Sequence, residues 1–236
     1  MKRLAVFTDL HADVHALRDA LVQIERLGCD AVVCAGDLVD YGCFPEETLR
    51  LLIEKNIPCI RGNHDRWATE DAKRFASTWD VSPTVMRFLR ELPAYRSLVV
   101  EGVRVAVWHA RPNSDMNGIY PDISEGEAAT LLDQAACDVL VVGHTHVTFE
   151  RRVGPRAIFN PGALLRAPAE PLDAPTLGRF GVVELPSMRF EVREAKTGDV
   201  VTPDRYDPPA AQRFDRTPGG TLWVPKKKAG SRRNAD

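Results

Sequence analysis

IPCIRGNHDRW, Ile57 to Trp67, runs from an apolar segment into Arg-Gly-Asn-His-Asp. Apolar residues leading into glycine read as a strand closing in a tight turn. Asn63, His64 and Asp65 at that end are either turn punctuation or a chemical site, and the flanking sequence decides. Upstream, Lys2 to Thr8 reads as a strand. Val14, Leu17, Leu21, Ile24 and Leu27 then recur at helical spacing up to a stop at Gly28. Ala31 to Ala35 reads as a second strand, Pro45 opens a second helix, and Ile57 to Ile60 reads as a third strand. This β-α-β-α-β rhythm predicts parallel strands in an α/β sheet.

Downstream, Ser82-Pro83 opens a helix striped by Val85, Phe88, Leu89 and Leu92. From Tyr95 the rhythm changes to short strands: YRSLVV, VRVAVWH, DVLVVG, VTFERRV, RAIFN, GRFGVVEL and RFEVREA. Among them only Ser124 to Ala136 reads as helix, opened by a Ser124/Glu127 capping box. A parallel half followed by a strand-rich half predicts a four-layer α-β-β-α sandwich, two facing mixed sheets with flanking helices. The domain is expected over residues 1–202. A Pro- and charge-rich tail is expected over 203–236, poorly ordered unless TLWV adds an edge strand.

At 236 residues and 44% hydrophobic content, the chain can bury one ordinary core. No apolar run approaches the ~20 residues that span a bilayer, and Asp9, His11 and Asp13 interrupt the N-terminal run too early for a leader. The expectation is a cytoplasmic protein without a membrane partner. Five scattered cysteines without C-x-x-C spacing argue against a disulfide framework or a thiolate zinc site. A net charge of −2 and a pI near 6.3 give no global basic field, so nucleic acid enters only as a substrate. The basic run Lys226-Lys227-Lys228 with Arg232 and Arg233 reads as a solvated end rather than a nucleic-acid arm.

Ligand-type residues stand where apolar strands run out. The strand ends carry Asp9-Leu10-His11, Gly36-Asp37, Gly62-Asn63-His64-Asp65, His109, and Gly143-His144-Thr145-His146. The carboxyl ends of parallel strands are where ligands gather in α/β sheets. Any one of these residues reads as a cap or turn former, but five of the six histidines lie in these segments. Carboxylate, imidazole and amide donors without thiolate suit manganese, iron, zinc and similar ions. There are donors enough for two, which need a shared ligand to sit about 3.5–4 Å apart. Asp37, flanked by the Asp9 and Asn63 strand ends, is the natural bridge, each carboxylate oxygen taking one metal.

These blocks, in this order over about residues 4–165, resemble the five-block signature of calcineurin-like metallophosphoesterases. GDLVDYG and NPGALLR further resemble the small bacterial and archaeal phosphodiesterase branch. The resemblance implies one metal on Asp9, His11, Asp37 and His146, and a second on Asp37, Asn63, His109 and His144. It implies His64 as the catalytic histidine, with Asp65 orienting it. Two departures stand out: Asp9-Leu10-His11-Ala12-Asp13 where the branch reads Asp-x-His-Gly-Asn, and ARPNSDMNG after His109 in place of Gly-Ser-Pro. Both bear on substrate choice more than on chemistry.

The expected activity is hydrolysis of small or exposed phosphodiesters, among them nucleotides, by hydroxide generated at two divalent ions. Manganese is expected first, with iron, zinc, nickel or cobalt as alternatives. Alternative readings are a phosphomonoesterase or protein phosphatase, a dinucleoside polyphosphate hydrolase, and a non-catalytic interaction scaffold like the retromer subunit of this fold. The retained His64 separates catalysis from the scaffold. Homo-oligomerisation stays open. Among other polar residues, Asp13, Asp40 and Asp71 read as caps or solvated carboxylates. Arg61, Arg66 and Arg111 read as salt-bridge partners before phosphate contacts, and Tyr41, Asn113 and Tyr120 are candidate pocket residues.

Overall fold

In the first strand, β1 (Lys2–Phe7), alternate residues face opposite ways, as the pleat requires. Leu4 and Val6 join one buried cluster, Ala5 and Phe7 another. The computed structural model describes residues 1–70, 81–165 and 178–202. The expectations for Asp71, Arg166, TLWV, the basic run and the 203–236 tail lie outside them.

Helix α1 (Val14–Arg26) starts where Asp13 accepts the Ala16 amide at 3.0 Å, a cap worth ~1 kcal/mol. It leads to β2 (Ala31–Cys34), which pairs in parallel with β1. Helix α2 (Pro45–Glu54) follows, with proline in its first turn. The expected third strand shrinks to one parallel bridge, Cys34 with Cys59. Pro58 has no N–H to donate, so the ladder stops there. The sequence reading missed α3 (Asn63–Glu70), which begins at the GNHD segment itself. Helix α4 (Pro83–Arg90) forms as expected, although the Ser82 hydroxyl caps no amide and accepts instead from Arg50 at 3.3 Å.

The strand-rich half supplies β3 (Tyr95–Val100), β4 (Val103–Trp108), β5 (Val139–Val141), β6 (Phe149–Val153), β7 (Arg156–Asn160), β8 (Arg179–Leu185) and β9 (Arg189–Glu194). Between β4 and β5 lies α5 (Glu125–Gln134), capped by Ser124 on the Glu127 amide at 3.2 Å. One sheet runs β2-β1-β8-β9 and the other β3-β4-β5-β7-β6, both mixed. Leu4, Val6, Val105, Val107, Val139, Val141 and Phe159 fill the space between the sheets. Burying each such side chain contributes ~1.5–3 kcal/mol. Helices α1, α2 and α4 pack outside the first sheet, and α5 outside the second. This is the four-layer α-β-β-α sandwich. Its parallel pairs are β1/β2, β4/β5 and β5/β7, and the carboxyl ends of β1, β2, β4 and β5 lead into the ligand-type segments.

Candidate dinuclear metal centre

Left-handed backbone concentrates where these strands end. Of the 13 non-glycine residues with positive φ among the described residues, eight are Asp9, His11, Ala12, Asp37, Asp40, Tyr41, His144 and His146. Each such conformation costs ~1–3 kcal/mol and persists only where surrounding contacts impose it. Here they do. The amides of Asp9, His11 and Ala12 donate to the carbonyls of Gly36, Asp37 and Leu38 at 2.9–3.0 Å. The His144 amide donates to Asp9 Oδ2 at 3.0 Å, joining the two sheets. Close approach also dictates glycine: a Cβ at Gly143 would lie 2.1 Å from Thr8 Oγ1, and one at Gly62 would lie 2.1 Å from Asp37 Oδ1.

Each carboxylate of the centre has one oxygen tied down and the other turned inward. Asp9 Oδ2 accepts from the Thr8 hydroxyl at 2.8 Å and from the His144 amide. Its Oδ1 is buried without a hydrogen-bond partner, 3.4 Å from His146 Nε2 and 4.0 Å from His11 Nε2. Asp37 Oδ1 accepts the His64 amide at 3.0 Å. Its Oδ2 lies 3.2 Å from His109 Nε2, 3.9 Å from His11 Nε2 and 4.0 Å from His64 Nε2. Asp37 therefore faces both donor sets through one oxygen, not through one on each side as expected from carboxylate chemistry alone.

The donor chemistry fits metal ions. His11 Nδ1–H donates to the Val39 carbonyl at 3.2 Å, which leaves Nε2 a lone pair aimed at His146 Nε2, 3.2 Å away. His109 Nδ1–H donates to the Ala35 carbonyl at 2.8 Å. Its Nε2 faces Asn63 Oδ1 at 3.1 Å as well as Asp37 Oδ2, and His144 Nδ1 lies 3.0 Å from the same amide oxygen. A neutral His109 would set lone pair against lone pair, a clash that either a proton on Nε2 or a shared cation relieves. Asp9, His11 and His146 form one compact group of ligand atoms, and Asp37, His109 and His144 another. The Asn63 amide oxygen lies against the second.

The electrostatics carry the same signature. Burial alone would lower His109, yet the Asp37 and Asp9 carboxylates carry it up to about 10. Burial likewise opposes ionisation of Asp37, but the surrounding imidazoles, His109 foremost, hold its carboxyl well below the usual range. His11 is pushed down to about 4 by burial, despite Asp37 and Asp9. Asp37 thus stays ionised amid imidazoles, as carboxylate ligation of a cation requires, whereas burial and the Asp37 charge raise Asp65 to about 7.

His64 lies beside this centre. Its Nδ1–H donates to Asp40 Oδ2 at 2.7 Å, and its ring contacts Tyr41 and Trp67, each at 4.8 Å between centroids. Asp65, expected to orient it, makes no hydrogen bond to its ring. Asp65 Oδ1 accepts the amides of Leu38 and Val39, at 2.8 and 3.3 Å, and Oδ2 accepts the Gly62 amide at 2.9 Å. Both of its oxygens accept backbone amides, so Asp65 ties two ligand-bearing loops together. Asp40, read from sequence as a cap or solvated carboxylate, occupies the histidine's side instead. The spacing Asp37-x-x-Asp40 in a turn was the available signal.

The remaining expectations sort by contact. Asp13 is the α1 cap. Arg66 is committed to Asp115 at 2.6 and 3.2 Å and to Glu70 at 3.1 Å, and Arg111 to Glu127. Tyr41 stands over His11 and His64, Asn113 lines a neighbouring cleft, and Tyr120 is half-buried. All five cysteines are free thiols. Among the described residues no helix is long and apolar enough to cross a membrane.

An α/β sandwich presenting buried carboxylate, imidazole and amide donors at its strand ends is the architecture of a metal-dependent hydrolase. The chain belongs to the calcineurin-like phosphoesterase superfamily, whose domain profile matches residues 1–179. An uncharacterized protein of Methanocaldococcus jannaschii is 29% identical over 159 residues, covering 62% of this chain and 63% of that protein. The chain thus spans less than two thirds of that curated relative. A metallophosphoesterase from Sphaerobacter thermophilus is similar in structure, with TM-score 0.63 and 24% identity over 81% of this chain and 86% of that one. A hypothetical protein from Pyrococcus horikoshii gives TM-score 0.67 at 17% identity, covering 82% and 88%.

Proposed function

We propose that this chain is a phosphodiesterase acting at two divalent ions, one held by Asp9, His11, Asp37 and His146, the other by Asp37, Asn63, His109 and His144. The observation that carries the reading is Asp37 Oδ2, turned toward both donor sets while its partner oxygen is held by the His64 amide. Two ions held by these residues would supply Lewis acidity toward the phosphoryl oxygens and would acidify water for attack.

The chain's own residues supply the rest. Asp40 accepts the Nδ1 proton of His64 and so fixes the ring with Nε2 toward the centre, 4.0 Å from Asp37 Oδ2. From there the doubly protonated ring can pass its Nε2 proton to the leaving oxygen while Nδ1–H stays on Asp40, help typically worth 10²–10⁴-fold. Tyr41 and Trp67 wall the ring and limit water on that side. Manganese is our first choice of ion, with iron, zinc, nickel or cobalt as alternatives that the same donors accept. Five free thiols fit a reducing cytoplasm.

The test is hydrolysis of bis(p-nitrophenyl) phosphate by metal-stripped protein titrated with manganese, nickel, cobalt, zinc and magnesium, with p-nitrophenyl phosphate alongside. We expect metal-dependent turnover favouring the diester, and two ions bound per chain by elemental analysis. Turnover of the monoester alone would reassign the chain as a phosphomonoesterase. Two bound ions without any turnover would favour the scaffold.

A further inference from the structure

Beside the second donor set opens a cleft of about 510 Å³ whose lining includes Arg61, Tyr95, Trp108, His109, Asn113 and Ser114. Its wall is built. Arg66 on α3 grips Asp115 with two hydrogen bonds, and the Ser114 hydroxyl accepts the Met116 and Asn117 amides at 3.2 and 3.1 Å. The segment after His109, which departs from the branch pattern, is therefore held in place as one side of the cleft.

Three features of the lining point to a ligand. Tyr95 and Trp108, directly paired across β3 and β4, stack with centroids 4.5 Å apart and planes within 6°. Trp108 covers one face of Tyr95, yet Tyr95 is 51% exposed, so its outer face is open to a further planar group. Arg61 is half-buried, and among the described residues its guanidinium has no hydrogen bond or ion pair, whereas Arg66 and Arg111 are both committed to carboxylates. Finally, His109 borders the cleft, so a group seated there is continuous with a phosphate at the donor sets.

An open aromatic face next to an uncommitted guanidinium is how proteins hold a nucleobase and its neighbouring phosphate without reading sequence. We infer that this cleft is a nucleotide subsite, which takes a base on Tyr95 and a flanking phosphate on Arg61 while the adjoining phosphodiester lies at the donor sets. The substrate class is then a short single-stranded oligonucleotide or dinucleotide. The inference rests on the phosphodiesterase reading above and narrows it.

The test reads binding, so that it survives a failure of that reading. Manganese-loaded His64→Ala protein, in which the ligand outlasts the titration, is titrated by calorimetry with adenylyl-adenosine and with its 5′-phosphorylated form. We expect the phosphorylated dinucleotide to bind at least tenfold more tightly. Adding Arg61→Gln should erase that preference to within about twofold, and Arg61→Lys should restore part of it, which a merely structural role would not do. Adding Tyr95→Ser should weaken both ligands by about tenfold, the scale of one base stacked on an aromatic ring. Equal binding of the two dinucleotides, binding of neither, or a preference unmoved by Arg61→Gln would overturn the subsite. Wild-type turnover of bis(p-nitrophenyl) phosphate reports the broader reading separately.

Discussion

Asp40 offers the sharpest test of how the site works. Its Oδ2 receives the His64 Nδ1 proton at 2.7 Å, and its own backbone is left-handed at φ 78°. An ordinary alanine scan would mix loss of the partner with backbone strain, so two other substitutions are better. Asp40→Asn keeps size, an acceptor and tolerance of the left-handed region while removing the charge. Asp40→Gly removes the partner altogether at no conformational penalty. A hydrogen bond to a charged group is worth ~1.5–3 kcal/mol. At ~1.4 kcal/mol per decade, that is about 10- to 150-fold in rate if the bond serves the transition state. The ring keeps its contacts with Tyr41 and Trp67, so it is loosened rather than released. We therefore expect kcat on bis(p-nitrophenyl) phosphate to fall about tenfold for Asp40→Asn and about a hundredfold for Asp40→Gly, with two metal ions retained. In a His64→Ala background the same substitutions should change kcat by less than about threefold. Equal losses with and without His64 would refute the assignment, as would loss of metal alongside the loss of rate.

Asp65→Ala leaves the amides of Gly62, Leu38 and Val39 without their acceptor in a site that is fully buried. Denaturant unfolding should show a loss of about 3 kcal/mol or more; wild-type stability with abolished turnover would instead restore Asp65 as the partner of His64. Gly143→Ala would place a Cβ 2.1 Å from Thr8 Oγ1 and 2.7 Å from Asp9 Oδ2, so bound metal should fall below two per chain, and full retention of both ions would contradict the packing. Asp138, gripped by the side chain and the amide of Arg104, is lowered to about 2. Its folded-state pKa lies below its unfolded one, so its contribution is complete above about pH 4 and is lost as pH falls through about 2. The pair is partly exposed, which holds the effect under ~1 kcal/mol. Asp138→Asn should flatten the fall in stability between pH 5 and pH 2.5, and an unchanged slope would rule the pair out.

Most of the architecture is legible in the sequence, because amphipathic periods and caps act locally. Val14, Leu17 and Ile24 on α1, or Ser124 ahead of α5, need no distant partner to declare themselves. The failures share a different cause. Helix α3 has almost no apolar stripe in NHDRWATE, and its start is instead held by one distant carboxylate and one of its own: Asp37 Oδ1 takes the His64 amide and Asp65 Oδ2 takes that of Gly62. The strand expected at Ile57–Ile60 was undone by one missing N–H at Pro58, a local fact, but the bridge that survives depends on where Cys34 lies.

The candidate donor set was legible for a further reason. Metal-type donors are chemically distinctive, and parallel strands deliver their ends to a common edge whatever the register. The division of labour among the aspartates was not, because carboxylates are interchangeable in composition and differ only in which hydrogens reach them. Asp9 and Asp37 each receive donors on one oxygen and keep the other for the centre. Asp65 receives amides on both. Asp40 receives one amide and one imidazole proton, which turns a turn residue into the histidine's anchor. Counting the free oxygens on each carboxylate, rather than its distance along the chain from His64, therefore separates the ligands, the tie and the anchor.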